Sequence, residues 1–266
     1  MKIKTRIIKW LLTLFPQKER QPGKLKKMFG ISKDTFDVRD YKTSVQLAVI
    51  PLKYSIPINP LRYVKNQGSW ISCGAHAITT ALEISHELNK TNLQLPLSER
   101  YHYYYARQPE YSGQFPKNVG MTSRNMLKVA QKIGISPEKL CPYISTEMND
   151  KPKYFAEQFA GTWKIGPYFR VNSITEAKET LNSNKPVLIG VYCNNSFLSL
   201  SGEITYKKGD ITKGGHEFVI YGYDDVSQSF LCINSWGSGY KDKGLMSLPY
   251  DYVENLAIDM WTFKLN

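Results

Sequence analysis

The sequence predicts an α+β fold in which a helical subdomain and a strand-rich subdomain face each other. Helix-like spacing of apolar residues dominates the first half of the chain, whereas short β-rich segments separated by turn residues follow Pro186. Helices and strands segregated along a chain are typical of this fold class. The 266 residues, 42% hydrophobic and 22% charged, exclude wholesale disorder, collagen and coiled coil. No apolar run approaches the ~20 residues that span a bilayer, which excludes an integral membrane protein.

The N-terminal 35 residues differ in character from the rest of the chain. Residues 1–29 contain nine lysines and arginines against one glutamate, a net +8 out of a total of +12. Residues 2–15 show the apolar period of an amphipathic helix, which Pro16 ends, and the polar, basic residues that follow resemble a linker. We therefore predict a basic arm and linker over 1–35 and a folded domain over 36–266.

The charge of the arm suits an acidic partner. Such a partner is a protein, a larger assembly or an anionic surface, and no specific nucleic-acid recognition is expected. A solvated tail and a short pro-segment that reaches over the domain are the alternatives. A cleaved secretory signal is disfavoured, because Lys9 interrupts the apolar stretch and no A-x-A-like site follows.

The folded domain opens with an irregular, proline-rich stretch, after which the helices and then the strands are predicted. Ser173 and Glu176 form a capping-box pattern, which starts the last of these helices. Runs rich in β-branched and aromatic residues predict the strands. The predicted helices cover 73–89, 98–107, 122–133 and 173–182, and the predicted strands cover 187–192, 217–223, 230–233 and 244–248.

Cys73 is the candidate nucleophile, because it lies where the first of these helices begins. A helix N-terminus carries partial positive charge and unpaired N–H groups, which both favour a thiolate. Gln67 lies six residues earlier, on the loop that enters this helix. His216 follows two glycines at the start of a predicted strand, and Asn234 lies at the exit of the next strand. A thiol, a base and oxyanion donors are what nucleophilic catalysis requires.

Three segments carry a resemblance to a known family. They are VKNQGSWISCGAHAITTALE, GGHEFVIYGYDD and INSWGSGYKDKGLMSLP. In order and spacing they resemble the three active-site boxes of papain-like cysteine peptidases. The similarity extends from about Phe36 to the C-terminus, and the segments SPEKLCPY and LPYDYVENLAIDMWTF are most similar to the compact bacterial and phage branch.

This resemblance implies a papain-like fold and a cysteine-type endopeptidase. A helical lobe of about 64–160 and an antiparallel β-barrel-like lobe of about 161–266 are expected to enclose the active site in a cleft. The enzyme would cleave peptide bonds through an acyl-enzyme on the Cys73 thiolate. A catalytically weak or inactive papain-fold binding or structural module is the alternative, as is a cell-wall peptide amidase.

The resemblance also assigns roles to individual residues. Cys73 would be the nucleophile, His216 its imidazolium partner, and Asn234 the residue that orients the imidazole. The side chain of Gln67 and the backbone N–H of Cys73 would form the oxyanion hole. Trp236 would cover the contact between the asparagine and the histidine and exclude water from it.

The chain departs from the family pattern beside the nucleophile. Trp70 replaces a cysteine that family members often bridge, and Gly74 replaces the usual aromatic residue. Ile71 replaces a glycine that lets the substrate backbone lie close to the cleft wall. We expect Ile71, Ser72 and Gly215 to line the substrate cleft, and Ile71 to narrow it.

No metal or other cofactor is implied. Four cysteines without CxxC spacing argue against a zinc site and against a disulfide framework. Cys141, Cys193 and Cys232 lie in apolar contexts typical of small core residues. An oxidising compartment is therefore not required, and a cytoplasmic or virion-associated location is favoured over secretion.

Overall fold

The computed structural model describes residues 30–35, 37, 40–42, 50–91 and 96–266. The amphipathic helix predicted at 2–15 and the basic arm over 1–29 lie outside these residues. Within the described part, no helix is long and apolar enough to cross a membrane. All four cysteines are buried free thiols.

The strand-rich part of the described chain is one mixed sheet. Its strands are β1 (Tyr41–Lys42), β2 (Lys53–Ser55), β3 (Ile165–Val171), β4 (Val187–Tyr192), β5 (Gly215–Asp224), β6 (Ser229–Ile233), β7 (Leu245–Pro249) and β8 (Ala257–Leu265). Seven of them lie in the order β1-β3-β8-β4-β5-β6-β7, and β2 pairs with β5. The pair β1 and β3 is parallel, and the remaining pairs are antiparallel.

The helices in the described residues lie mostly before β3. They are α1 (Cys73–Leu88), α2 (Glu99–Ala106), α3 (Ser123–Lys132), α4 (Tyr154–Ala160), α5 (Ile174–Asn182), α6 (Asn195–Leu198) and α7 (Tyr250–Leu256). Helix α1 packs against α2 and α3 on one side and against β5 on the other, and a continuous apolar core joins helices and sheet. The junction of α1 with β5 brings Cys73 and His216 into the same region of the molecule.

Side-chain caps fix where the helices begin. Ser98 accepts a hydrogen bond from the N–H of Tyr101 at the start of α2, and Thr122 accepts one from Asn125 at the start of α3. The predicted capping box starts α5, where Ser173 accepts the N–H of Glu176. Helix α1 has no such cap, because the hydroxyl of its N-cap residue, Ser72, bonds elsewhere.

The α+β prediction is confirmed. Each of the four predicted helices and four predicted strands is present within two residues of its predicted bounds. Two long strands were missed. Gly166 and Pro167 interrupt the pattern of β3, and β8 is buried along most of its length, so it lacks the alternation of apolar and polar residues that marks a strand with one solvated face.

Candidate active site

Cys73 is the first residue of α1 and is completely buried. The backbone N–H groups of Glu217, Gly74 and Cys73 itself lie near its sulfur and act to lower the pKa of the thiol. Burial outweighs them, together with the charge of the Glu217 carboxyl, and raises the pKa of Cys73 to about 12. In the described state the sulfur is therefore a neutral thiol.

His216 is the second residue of β5 and is also completely buried. Its Nε2 lies 2.7 Å from Oδ1 of Asn234, which also accepts the N–H of Ser235 at 2.7 Å. Because Oδ1 is an acceptor, Nε2 carries the proton and donates it in this bond. Nδ1 has no hydrogen-bond partner among the described residues, so it is the nitrogen available for proton transfer. Burial lowers the pKa of His216 to about 4, although the bond to Asn234 acts against it.

Aromatic rings enclose the histidine. Trp236 stacks on the imidazole with ring centroids 4.3 Å apart and an interplanar angle of 30°. Phe197 packs edge-on against both rings, at 6.1 Å from His216 and 5.6 Å from Trp236. These rings keep water away from the His216–Asn234 hydrogen bond, which strengthens it.

Gln67 is held by the residue that follows Asn234. Its backbone N–H donates to the carbonyl of Ser235 at 2.9 Å, and the Ser235 hydroxyl donates to Gln67 Oε1 at 2.8 Å. These bonds fix the orientation of the amide, and its Nε2 donates to the carbonyl of Trp70 at 2.9 Å. The nitrogen end of the amide thus lies on the side of the loop that leads into Cys73.

Residues 30–32, which we call the cleft segment, run across this site. The N–H of Gly30 donates to the carbonyl of Gly215 at 2.8 Å, directly before His216. The N–H of Met121 donates to the carbonyl of Gly30 at 3.0 Å, and the N–H of Ser32 donates to the carbonyl of Met121 at 3.2 Å. The cleft segment is therefore bonded to both sides of the cleft, to β5 and to the residues that precede α3.

Gly30 lies directly against Cys73. A Cβ atom at this position would lie 2.8 Å from Sγ of Cys73 and 2.6 Å from Cγ2 of Ile71. A Cβ on Gly120 would collide with the backbone of Gly30. Only glycine fits where the chain crosses the thiol, and Cys73 is completely buried beneath it.

The three residues expected to line the cleft have different surroundings. Ile71 contacts the cleft segment with its side chain, and its N–H donates to Oδ1 of Asn118 at 2.7 Å. Gly215 supplies the carbonyl that binds the cleft segment. Ser72 is completely buried, with its hydroxyl 2.7 Å from that of Tyr143, so its side chain packs inside the protein.

The structure thus brings Gln67, Cys73, His216, Asn234 and Trp236 to one region. It adds residues that sequence reasoning missed. Ser235 lies between two residues that were singled out, so its place in the sequence was the available signal, whereas no local signal marks Phe197 or Gly30. In the part of the chain that is described, no group of three or more His, Cys, Asp or Glu side chains could hold a metal ion.

Comparison with known proteins gives consistent matches. The sequence model of the family described as papain family cysteine protease matches residues 56–262. An uncharacterized peptidase C1-like protein of Acanthamoeba polyphaga mimivirus is 29% identical over 256 residues, which cover 86% of this chain and 81% of the relative.

Solved structures agree with this match. Xylellain, a cysteine protease from Xylella fastidiosa, superposes with a TM-score of 0.83 at 29% identity, over 94% of this chain and 99% of that one. A digestive procathepsin L of Tenebrio molitor larval midgut superposes with a TM-score of 0.69 at 18% identity, over 85% and 75% of the two chains. The second likeness concerns the fold alone.

Proposed function

The chain belongs to the papain family of cysteine proteases, and we propose that Cys73 is the nucleophile with which it hydrolyses peptide bonds. The hydrogen bond of 2.7 Å between His216 Nε2 and Asn234 Oδ1 carries this proposal. Because Nε2 keeps its proton in that bond, Nδ1 retains its lone pair and can accept the proton of the thiol.

The reaction then proceeds in two stages. The Cys73 sulfur attacks the carbonyl carbon of the peptide while its proton passes to Nδ1 of His216. The tetrahedral intermediate collapses, the amine leaves with the proton from Nδ1, and a thioester acyl-enzyme remains. A water molecule then gives a proton to Nδ1 and attacks the thioester, which releases the acid and restores the thiol.

The oxyanion of each intermediate requires fixed donors. We assign this role to the backbone N–H of Cys73, at the first turn of α1, and to the side-chain amide of Gln67. The hydrogen bond from Ser235 to the Gln67 amide supports the assignment to Gln67, because it fixes the orientation of that amide. A donor that is already oriented needs no reorganisation when negative charge develops on the substrate oxygen. The reaction takes place in the cleft between the helical lobe of about 64–160 and the β-rich lobe of about 161–266.

Labelling of the thiol tests the nucleophile. We expect an epoxysuccinyl label to modify Cys73 in the folded chain under reducing conditions, as mapped by mass spectrometry. Cys232 provides an internal comparison, since it is also a buried free thiol, and burial raises its pKa well above the ordinary value. Modification of both cysteines at equal rates, or of neither, would contradict the proposal, and Cys73→Ser should abolish peptide hydrolysis.

We further propose that the basic arm over 1–29 docks on an acidic protein partner, a larger assembly or an anionic surface. Its net charge of +8 and the apolar stripe of its predicted helix support this role. The arm directly precedes the cleft segment in the sequence.

Deletion of the arm separates its possible roles. If the arm only docks, a chain lacking 1–29 keeps its hydrolytic rate and loses association with vesicles that contain anionic lipid or with a co-purifying partner. If the arm holds the cleft segment in place, the same deletion raises the rate of hydrolysis. We also propose a cytoplasmic or virion-associated location rather than secretion, because all four cysteines are free thiols and an oxidising compartment is not required.

A further inference from the structure

Two buried carboxyl groups flank a single glycine beside the active site. In the sheet, Gly190 of β4 lies directly opposite Glu217 of β5 on one side and opposite Asp259 of β8 on the other. Residues paired in this way share one face of a sheet. The missing side chain of Gly190 therefore leaves a notch between the two acidic residues, which we call the acidic notch.

Neither carboxyl group is needed for the reaction proposed above, and both are buried with a raised pKa. Glu217 is 1% exposed and Asp259 is 7% exposed. The hydroxyl of Ser123 lies 2.9 Å from Glu217 Oε1 and 3.2 Å from Asp259 Oδ1, and its single proton can serve only one of them at a time. Oε2 of Glu217 has no hydrogen-bond partner among the described residues.

The departure from the family pattern at Gly74 belongs to this arrangement. A Cβ on Gly74 would lie 2.6 Å from Oε2 of Glu217. The absence of a side chain at the second residue of α1 thus makes room for this carboxyl next to Cys73. The closeness has an electrostatic effect, since the charge of Glu217 acts, after burial, to raise the pKa of the thiol.

The arginines near the acidic notch pair with other carboxylates and form no ion pair with Glu217 or Asp259 among the described residues. Burial, with the charge of Asp259 in second place, raises the pKa of Glu217 to about 8. Burial and then the charge of Asp34 raise the pKa of Asp259 to about 6, although the side chains of Trp261, Arg170 and Ser123 act to lower it. Arg124 and Arg170 form ion pairs with Asp40 at 2.7 and 3.1 Å, and Arg124 also pairs with Asp34.

The present occupant of the notch is Ile31 of the cleft segment. A Cβ on Gly190 would lie 2.4 Å from Cδ1 of Ile31 and 3.4 Å from Oδ1 of Asp259. Ile31 is 8% exposed, and its neighbour Gly30 contacts Cys73. The notch thus holds the side chain of Ile31, and the preceding residue, Gly30, lies against Cys73. The isoleucine side chain offers no hydrogen-bond donor to either carboxyl group.

We propose that Glu217 and Asp259 make the acidic notch a specificity site for a lysine or arginine side chain of the substrate. Such a side chain is longer than that of isoleucine. It carries N–H donors and a positive charge, which both carboxyl groups can bind and which Ile31 does not offer. This inference rests on the proposed role of Cys73 and names the substrate class of the same site.

Competition between substrates tests the proposal on the full chain. Fluorogenic peptides that differ only in arginine, lysine, leucine or norleucine are compared at each position near the scissile bond. Two substrates in one mixture compete for the same uncovered enzyme, so the ratio of their kcat/KM values does not depend on how many molecules the cleft segment covers. At one position we expect the cationic residues to be preferred by roughly 10- to 100-fold, as is typical of a hydrogen bond to a buried charge.

Isosteric variants then identify the residues responsible. Glu217→Gln and Asp259→Asn should each reduce the preference by about tenfold or more while turnover of the leucine substrate persists. Glu254→Gln, which removes an exposed carboxylate on α7, is the matched control and should leave the preference unchanged. Equal use of leucine and arginine at every position, or a preference that survives in both variants, would overturn the proposal.

Binding separates this inference from the mechanism. The Cys73→Ala chain cannot form an acyl-enzyme, yet it should still bind the arginine peptide more tightly than the leucine peptide, as measured by fluorescence competition. If the wild-type chain hydrolyses nothing while this binding preference holds, the mechanism fails and the acidic notch stands. If peptides are hydrolysed but neither turnover nor binding favours the cationic residue, the notch proposal fails and the mechanism stands.

Discussion

Substitution of Gly30 by alanine should activate the enzyme. The cleft segment covers Cys73, and the new methyl group would lie 2.8 Å from Sγ and 2.6 Å from Cγ2 of Ile71. Carbon atoms do not approach neighbouring heavy atoms this closely, and the backbone of Gly120 is packed closely against that of Gly30. The alanine variant must therefore lift the cleft segment away from the thiol.

The structure sets the size of this effect. Forcing extra atoms into a packed site costs about 1–3 kcal/mol, which multiplies the uncovered population by roughly 5- to 150-fold. The gain stops when every molecule is uncovered. The steric cost of the methyl group opposes two interactions that hold the cleft segment in place. These are the backbone bonds of Gly30 with Gly215 and Met121 and the burial of Ile31, which contributes about 1.5–3 kcal/mol.

The assay is the rate at which Cys73 reacts with an epoxysuccinyl label, followed by mass spectrometry, beside the rate of hydrolysis of a fluorogenic peptide. Both rates should rise by the same factor in Gly30→Ala, because both require an uncovered thiol. Ser32→Ala is the control, since Ser32 is exposed and its backbone bond to Met121 persists. Unchanged or slower labelling in Gly30→Ala would refute the reasoning, because the cleft segment would then not limit access to the thiol.

Four further changes test the site. Asn234→Ala should lower kcat while labelling of Cys73 stays detectable, because the imidazole of His216 remains as a base but is no longer oriented by Asn234. Gln67→Ala should lower kcat by roughly 10²–10³. Ile71→Gly should speed hydrolysis of generic dipeptidyl substrates, and no gain on any of them would contradict the steric account. Burial raises the pKa of Glu217 to about 8, above an unfolded value near 4.3, so the stability that it contributes is complete below about pH 4 and declines as the pH rises to 8. Glu217→Gln should flatten that decline, as measured by Tm against pH.

Much of the fold follows from local patterns. The Ser173 and Glu176 capping box and the β-branched run of β4 need no information from distant residues, so sequence reasoning locates α5 and β4. The strands β3 and β8 are different, because burial on both faces or a proline removes the pattern on which prediction depends. Their place in the sheet is decided by pairing with each other, over a distance of some ninety residues.

The same division holds at the site. Cys73, His216 and Asn234 stand in recognisable sequence boxes, whereas the contact of Gly30 with the thiol joins residues far apart in the chain. Glu217 is visible in the sequence as an unusual residue, because it is a glutamate within an otherwise apolar strand. Its pairing with Gly190 and the position of Asp259 depend on strand register, which no single segment reveals.

We expect access to Cys73 and the reactivity of its thiol to change together. The cleft segment lies against Sγ of Cys73 and is bonded to Gly215, directly before His216. Burial is the largest cause of the raised pKa of the thiol and of the lowered pKa of the imidazole. When the segment leaves, both pKa values move back toward their ordinary ranges, and transfer of the proton from sulfur to nitrogen becomes easier. The same movement withdraws Ile31 from the acidic notch. Access, thiolate formation and recognition of the substrate side chain are therefore gained together, because residues 30–32 block all three.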